Sequence, residues 1–294
     1  MKRQGIALAT LLCLSLACGL VTPAADPQES DLETIVAATL TAMADQTQPT
    51  PFASMEANDI TVSHSGVSFT IPQGLATDAA PTVIPASLDP DAPYWGIHPS
   101  YVEFALDGYL LPGTFHEPKI RIYPVVEFEN ANDGAANVIG ELRALLTSQG
   151  DPLPADLPLP FLPLFNAAQM FHSNEQFIAF QNGRGIRFLT QYGQDISPVN
   201  NHSMFYTFQG MTNDGKYYIS AILPAAAPFL SDFPSPEYPV PLDGIPFDWD
   251  NWENTQAYME SVTQKLNGTD AATFTPSLAA LDAMMQSLLV TGIP

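Results

Sequence analysis

Hydrophobic and polar residues alternate over much of the chain after residue 58, and this period of two predicts β-strands. Ser65-Gly66, Asn182-Gly183 and residues 213–215 stand between such segments and favour tight hairpin turns. Pro124 lies inside one segment, which we expect at a sheet edge or a bulge because proline cannot donate a ladder hydrogen bond. The predicted strands are residues 60–64, 67–71, 101–106, 119–128, 177–180, 186–192, 203–208 and 216–223.

Apolar residues three and four positions apart predict helices over residues 31–44, after residue 132 and in the last part of the chain. Asn132 or Asp133 can cap the second of these, and Thr275 with Pro276 is typical of the start of the last. Strands followed by helices predict an α+β fold, an antiparallel meander sheet with helices packed on it. The C-terminal apolar stripes are Trp252, Met259, Val262 and Leu266, then Leu278, Leu281, Met285 and Leu288.

Proline-dense segments interrupt these elements. Residues 72–99 are rich in Pro, Ala and Asp, and we predict a loop there. Residues 151–165 and 224–246 are also apolar and aromatic, which argues against disorder and predicts two ordered arms across the sheet. These arms either cover core surface or border a functional groove.

The N-terminus has the pattern of a secretory signal. Lys2 and Arg3 precede an uncharged apolar run, residues 6–16, that is too short for a permanent membrane-spanning helix. The run leads into LSLAC at residues 14–18, which resembles a bacterial lipobox. This resemblance implies cleavage after residue 17 and diacylation of Cys18, which would hold the mature protein on the membrane.

The rest of the chain then divides into two regions. Residues 18–58 are expected to form a lipid-anchored tether, with a short amphipathic helix and a Thr/Pro linker, and residues 59–294 a single domain. The tether helix either spaces the domain from the membrane or docks on it. Cys13, the other cysteine of the chain, lies in the signal, so the mature protein would have no disulfide.

Composition narrows the function classes. The chain has 9 Lys and Arg against 31 Asp and Glu, a net charge of −22 that excludes nucleic acid as a partner, because phosphate binding requires basic patches. Hydrophobic residues make up 46% of the 294 residues, enough for a globular core despite the charge. With the signal, these features predict an acidic, proline-rich protein outside the cytoplasm.

Two phrases of the domain resemble proteins of the PsbP/Mog1 family. GVSFTIP at residues 66–72 is similar to the strand-to-proline phrase that opens their fold, and residues 278–288 are similar to their closing helix. The resemblance implies an α/β/α sandwich and a binding or assembly role, and it carries no catalytic residue across. The middle of the chain, from residues 182–185 through residues 215–218, also resembles lipid-anchored bacterial proteins of unassigned role.

The segment DWDNWE, residues 248–253, is the most specific chemical signal. Trp249 and Trp252 can stack on a sugar ring, and Asp248 and Asp250 can supply oxygen ligands to calcium. The segment therefore predicts a weak ligand or calcium site. The alternative is a helix N-terminus with acidic caps and with Trp252 in the core.

Three polar residues of the strand region complete the candidate ligand contacts. Arg187 shares a strand face with Leu189, where it either meets a ligand carboxylate or forms an internal salt bridge. Asn201 and His202 precede a strand and either contact a ligand or form a turn.

No nucleophile elbow, phosphate loop or zinc motif occurs in the sequence, so we predict no catalytic residue. The favoured hypothesis is a non-enzymatic, lipid-anchored domain that binds a small ligand or a protein partner. The alternatives are a secreted hydrolase that acts on glycans with two carboxylates, and a structural component of the cell envelope.

Overall fold

The computed structural model describes residues 59–148 and 157–294, which belong to the unit Phe52–Pro294. Its first elements, β1 (Ile60–His64) and β2 (Val67–Ile71), form the predicted hairpin. Ser65 and Gly66 have φ values of 46° and 86° in its turn, the left-handed region that a tight hairpin requires. Cys18, the signal and the tether lie outside the described residues.

A seven-stranded antiparallel sheet forms the centre of the domain. Its strands are β3 (Asp78–Ile84), β4 (Tyr101–Asp107), β5 (Lys119–Pro124), β6 (Ala168–Phe180), β7 (Gly183–Gly193), β8 (Phe205–Thr212) and β9 (Tyr217–Pro224). Their spatial order is β3-β4-β5-β9-β8-β7-β6, so two meanders meet where β5 pairs with β9. The predicted antiparallel meander is confirmed.

In the part of the chain that the structure describes, four α-helices and a smaller sheet pack around the central sheet. The helices are α1 (Val125–Ala131), α2 (Asp133–Thr147), α3 (Thr255–Asn267) and α4 (Leu278–Gln286). A short strand, β10 (Leu289–Val290), pairs with β2 to complete a three-stranded sheet. Asn132 caps α2 as predicted, because its Oδ1 accepts hydrogen bonds from the backbone N–H groups of Gly134 and Ala135 at 2.9 and 3.2 Å.

Both faces of the central sheet are buried. Along β8, Phe205 faces a cluster that contains α1 and α2, whereas its neighbour Tyr206 faces a cluster that contains α3, α4 and the smaller sheet. Successive strand residues point to opposite faces, so each strand contributes side chains to both clusters. The α+β prediction, with helices packed on an antiparallel sheet, is therefore confirmed.

Two predictions about strands were wrong. Residues 72–99 contain the edge strand β3 as well as loop, and Pro81 is tolerated within it because β3 pairs on one side only. The strand predicted for residues 119–128 stops at Pro124, where α1 begins. Since β5 lies between β4 and β9, Pro124 marks a strand end rather than a sheet edge or a bulge.

Two predictions about the C-terminal helices were also wrong in detail. Trp252 lies outside α3 in a short 3-10 turn and its side chain is 51% exposed, so it is not part of the buried helix face. The residue that caps α4 is Ser277, whose hydroxyl oxygen accepts from Ala280 N at 3.3 Å, instead of Thr275. The buried stripe of α3 consists of Tyr258, Val262 and Leu266.

Candidate functional site

The predicted tryptophan site is a local turn, residues 248–254, which we call the Trp turn. Asp248 Oδ1 accepts hydrogen bonds from the backbone N–H groups of Asp250 and Asn251 at 3.2 and 3.1 Å. Its Oδ2 accepts from Asn254 Nδ2 at 3.1 Å. Both indole rings pack near Phe247, with centroid distances of 5.0 Å for Trp249 and 5.8 Å for Trp252. Both carboxylate oxygens of Asp248 therefore have partners within the turn.

A pocket of about 250 Å³ beside this turn is lined by Asp248 and Tyr258, among others, but by neither indole. Among the described residues, no group of three or more His, Cys, Asp or Glu side chains is arranged to hold a metal ion. Calcium binding by Asp248 and Asp250 stays a prediction.

Arg187 points into the core between the central sheet and α4. Its Nε lies 3.2 Å from Asp282 Oδ1, and its Nη2 donates to Gln176 Oε1 at 2.7 Å. Tyr206 also donates its hydroxyl hydrogen to Asp282 Oδ1, at 3.0 Å. Burial raises the pKa of the Asp282 carboxyl above its ordinary value, although the charge of Arg187 opposes this. The internal salt bridge, one of the two alternatives for Arg187, is the one observed.

Asn201 and His202 connect two loops. Asn201 Oδ1 accepts from the backbone N–H of Ala227 at 2.9 Å, and its Nδ2 donates to Leu230 O at 3.2 Å, so this side chain holds the arm of residues 224–246. The carbonyl oxygen of His202 accepts from Phe115 N at 2.7 Å, and its Nδ1 lies 3.1 Å from Gly113 O. Both residues thus form hydrogen bonds to backbone groups of neighbouring loops, and those of His202 position the loop that carries Phe115.

That loop forms one wall of a larger cavity, which we call the aromatic pocket. The aromatic pocket is an open groove of about 640 Å³, within the range of small-molecule sites. Four rings line it: Phe115, His116, Phe165 and Tyr192. Its polar lining consists of Asn166, Gln194, Asp195 and Ser197. None of the predicted site residues lines this pocket.

Three distant segments assemble the aromatic pocket. Phe115 and His116 come from the loop between β4 and β5, Phe165 from the end of the first proline arm, and Tyr192 from the end of β7. The rings of His116 and Phe165 are stacked, with centroids 5.5 Å apart and planes at 10°. Tyr192 stands at 88° to Phe165, and Phe115 at 88° to His116. The rings of Phe115 and Tyr192 are therefore each nearly perpendicular to the stacked pair of His116 and Phe165.

The pocket keeps His116 in its neutral form. Burial, and to a lesser extent the charges of Arg121 and His202, lower its pKa from the ordinary 6.5 to about 4. At neutral pH the imidazole is therefore an uncharged aromatic ring. Arg121 is itself paired, since its Nε lies 2.8 Å from Glu103 Oε2.

Gln209, in the middle of β8, anchors the first proline arm to the sheet. Its Oε1 accepts from Leu162 N at 3.0 Å and from the Tyr218 hydroxyl at 2.6 Å, and its Nε2 donates to Leu162 O at 3.2 Å. Ser220 also donates to Leu162 O. Gln209, Ser220, Tyr218 and Leu162 are fully buried, so this network fixes the arm three residues before Phe165.

The sequence contained part of the signal for this site. Of the two alternatives for the first proline arm, covering core surface or bordering a groove, Phe165 shows the second, since it lines the aromatic pocket, while Phe161 and Leu162 are part of the core. Phe115 and His116 lie in a loop without a recognised motif, and the sequence predicts for Tyr192 a strand position alone. Phe115 is 68% exposed, and its loop, residues 108–118, is itself rich in apolar residues, so nothing in the sequence distinguishes Phe115 as a site residue.

The carboxylates of the described pockets bear on the hydrolase alternative. The aromatic pocket is lined by one carboxylate, Asp195, and the pocket beside the Trp turn by Asp248 alone. A third pocket of about 250 Å³ near Arg184 has none among its described lining residues. Glycoside hydrolysis needs a facing pair of carboxylates, so these pockets add no support for that alternative.

No protein-family model, curated protein or solved structure matches this chain. The resemblances to a lipobox protein and to the PsbP/Mog1 family therefore stay predictions. Within residues 59–148 and 157–294, no helix is both long and apolar enough to cross a membrane.

Proposed function

We propose that this protein is a non-enzymatic binding domain, held outside the cytoplasm by a lipid on Cys18, whose aromatic pocket receives a small ligand. The observation that carries the ligand site is the assembly of the pocket from three distant segments, with four rings around about 640 Å³. Apolar and aromatic walls with a few polar groups are the usual composition of a small-molecule site. The basic n-region, the short apolar run and residues 14–18 support the location.

The buried network at Gln209 supports the same proposal. Burying the polar side chains of Gln209, Tyr218 and Ser220 to hold the backbone of Leu162 is costly unless each polar group finds a partner. Here the network fixes the arm three residues before Phe165, which lines the pocket. If the arm only covered the core, its apolar side chains would be sufficient and no buried polar network would be needed. A wall held in this way is preorganised, which lowers the entropic cost of binding.

A thermal-shift screen of the full chain in a non-ionic detergent tests the ligand site. The panel contains neutral sugars, alkyl alcohols, organic anions and organic cations. A ligand at about 100 times its Kd adds about 2.7 kcal/mol, or roughly 5–10 °C in Tm for a domain of this size.

The matched variants are Phe115→Leu and Phe233→Leu, which remove partly exposed rings inside and outside the aromatic pocket. We expect Phe115→Leu to remove most of the shift and Phe233→Leu to retain it. A shift that survives Phe115→Leu, or the absence of any shift across the panel, would contradict the proposal.

Incorporation of a labelled fatty acid in a bacterial host tests the anchor. Cys18→Ser should lose the label and release the protein from the membrane fraction. Cys13→Ser is the control, because that cysteine lies inside the proposed signal, and it should keep the label. Equal labelling of the two variants would refute the anchor without bearing on the pocket.

A further inference from the structure

The orientation of the rings in the aromatic pocket points to a class of ligand. His116 and Phe165 are parallel, while Phe115 and Tyr192 each stand at 88° to one of them. A flat platform for a sugar needs rings in one plane, whereas these rings form walls in two directions. The negative π faces of such walls attract a compact cation with alkyl substituents.

Charge in and around the pocket favours the same class. Asp195 is exposed at the rim, and no Lys or Arg is among the described residues that line the cavity. The chain as a whole has a net charge of −22. An anionic ligand would meet this negative field without a basic partner, whereas a cation is attracted by it.

The nearby basic groups do not reverse this preference. Arg121 acts on His116 through its charge, but Glu103 holds its guanidinium at 2.8 Å. His116 contributes a neutral ring at pH 7 because burial lowers its pKa to about 4. All four rings that line the pocket, including His116, are therefore uncharged under physiological conditions.

We propose that the aromatic pocket binds an organic cation with a methylated ammonium group, which contacts Phe115, Phe165 and Tyr192 and is balanced by Asp195. This inference rests on the proposed function and names the ligand class of the same site. The cavity of about 640 Å³ exceeds the volume of one ammonium head, so the remainder of the molecule reaches the polar rim at Asn166 and Ser197.

Calorimetric titration of the full chain with two molecules of the same shape tests this inference. Choline carries a trimethylammonium group, and 3,3-dimethylbutan-1-ol replaces its nitrogen by carbon and has no charge. We expect choline to bind about tenfold more tightly than the alcohol, because cation–π and charge contacts are lost with the nitrogen. Glycerophosphocholine is the third probe, and tighter binding than choline would identify a lipid headgroup as the source of the cation.

Two aspartate variants form the matched pair. Asp195→Asn should weaken choline binding about fivefold and leave the binding of the alcohol unchanged, since only the cation loses a Coulomb partner. Asp250→Asn removes the same charge at an exposed position outside the aromatic pocket and should change neither affinity.

The outcomes separate the two proposals. Equal affinity for choline and the alcohol, or an Asp195→Asn effect no larger than that of Asp250→Asn, would overturn the cation inference. If a neutral compound then binds and Phe115→Leu weakens it, the binding function stands with another ligand class. If no compound of either panel binds, both proposals fail.

Discussion

The Trp turn and the aromatic pocket both combine aromatic rings with carboxylates, but they are built in opposite ways. All residues of the Trp turn come from one segment, and its main carboxylate, Asp248, accepts three hydrogen bonds from that segment. The aromatic pocket joins three segments that are distant in sequence, and Asp195 stands at its rim. The carboxylate of Asp248 thus serves the turn itself, while the larger pocket lies elsewhere.

The two regions also differ in how far they depend on residues that are distant in the sequence. The first proline arm, which carries Phe165, is held by Gln209 from the middle of β8, whereas the Trp turn uses the capping side chains Asp248 and Asn251. Substitutions that disturb the pocket should therefore act over long distances in the sequence and cause a large loss of unfolding free energy. Those that disturb the turn should be local and mild.

The largest expected effect is at Gln209. Gln209→Met leaves the N–H and carbonyl of Leu162 and the hydroxyl of Tyr218 with fewer buried partners, which should cost about 3 kcal/mol of unfolding free energy. Ligand-induced stabilisation should fall with it, because Phe165 loses its support. Urea denaturation measures the first effect and the thermal-shift screen the second.

Gln194→Met is the matched control for this change. Gln194 is exposed at the rim and donates one hydrogen bond to Asn166 O, so it should lose less than about 0.5 kcal/mol. Equal losses in the two variants would show that the arm is not held by the buried network.

A second test concerns pH and His116. The unfolded chain takes up a proton near pH 6.5 and the folded chain only near pH 4, so stability falls as the pH is lowered from 7 towards 4. Between pH 7 and pH 5 this contributes about 2 kcal/mol of destabilisation. His116→Gln should lose that contribution, as measured by urea denaturation at both pH values. Parallel pH dependence in the two proteins would contradict a neutral, buried imidazole.

The Trp turn should respond less. Asp248→Ala removes a side chain that accepts from two backbone N–H groups, which should cost about 1 kcal/mol and leave the ligand response of the aromatic pocket unchanged. Asp250→Ala changes the charge equally at the next acidic position and serves as the control. A loss of ligand response in Asp248→Ala would show that the two regions are coupled.

Trp252 should give the smallest effect. Its ring is 51% exposed, so Trp252→Ala should change the unfolding free energy by no more than about 0.5 kcal/mol. The ligand-induced Tm shift should stay the same, whereas Phe115→Ala should remove it. A reduced shift in Trp252→Ala would return the ligand site to the Trp turn.

Local signals in the sequence were sufficient for several elements. The hairpin at Ser65-Gly66 and the cap at Asn132 were predicted correctly, because a turn residue or a capping oxygen acts on atoms a few positions away. The β3 strand was missed because Pro81 is compatible with a strand only at a sheet edge. Whether a strand is at an edge depends on the whole topology.

The candidate site residues show the same difference between what local patterns predict and what long-range contacts decide. The residue pattern around Arg187 allowed a ligand contact or an internal salt bridge, and only the packing of α4 against β6, the neighbour of β7, brought Asp282 within 3.2 Å of Arg187. The pattern at residues 248–253 allowed a ligand or calcium site or a local cap, and only the structure shows that Asp248 accepts from the backbone N–H groups of its own turn.

The sequence by itself determined the α+β class, the hairpins and the acidic charge, since periodicity, turn residues and composition are properties of short segments or of simple sums. The tertiary structure decided which rings share a cavity and which histidine lies in it. Phe115, Phe165 and Tyr192 meet because β5 pairs with β9 and because Gln209 holds the first proline arm. Those long-range contacts leave no periodic trace in the sequence, because each forms between single residues far apart along the chain.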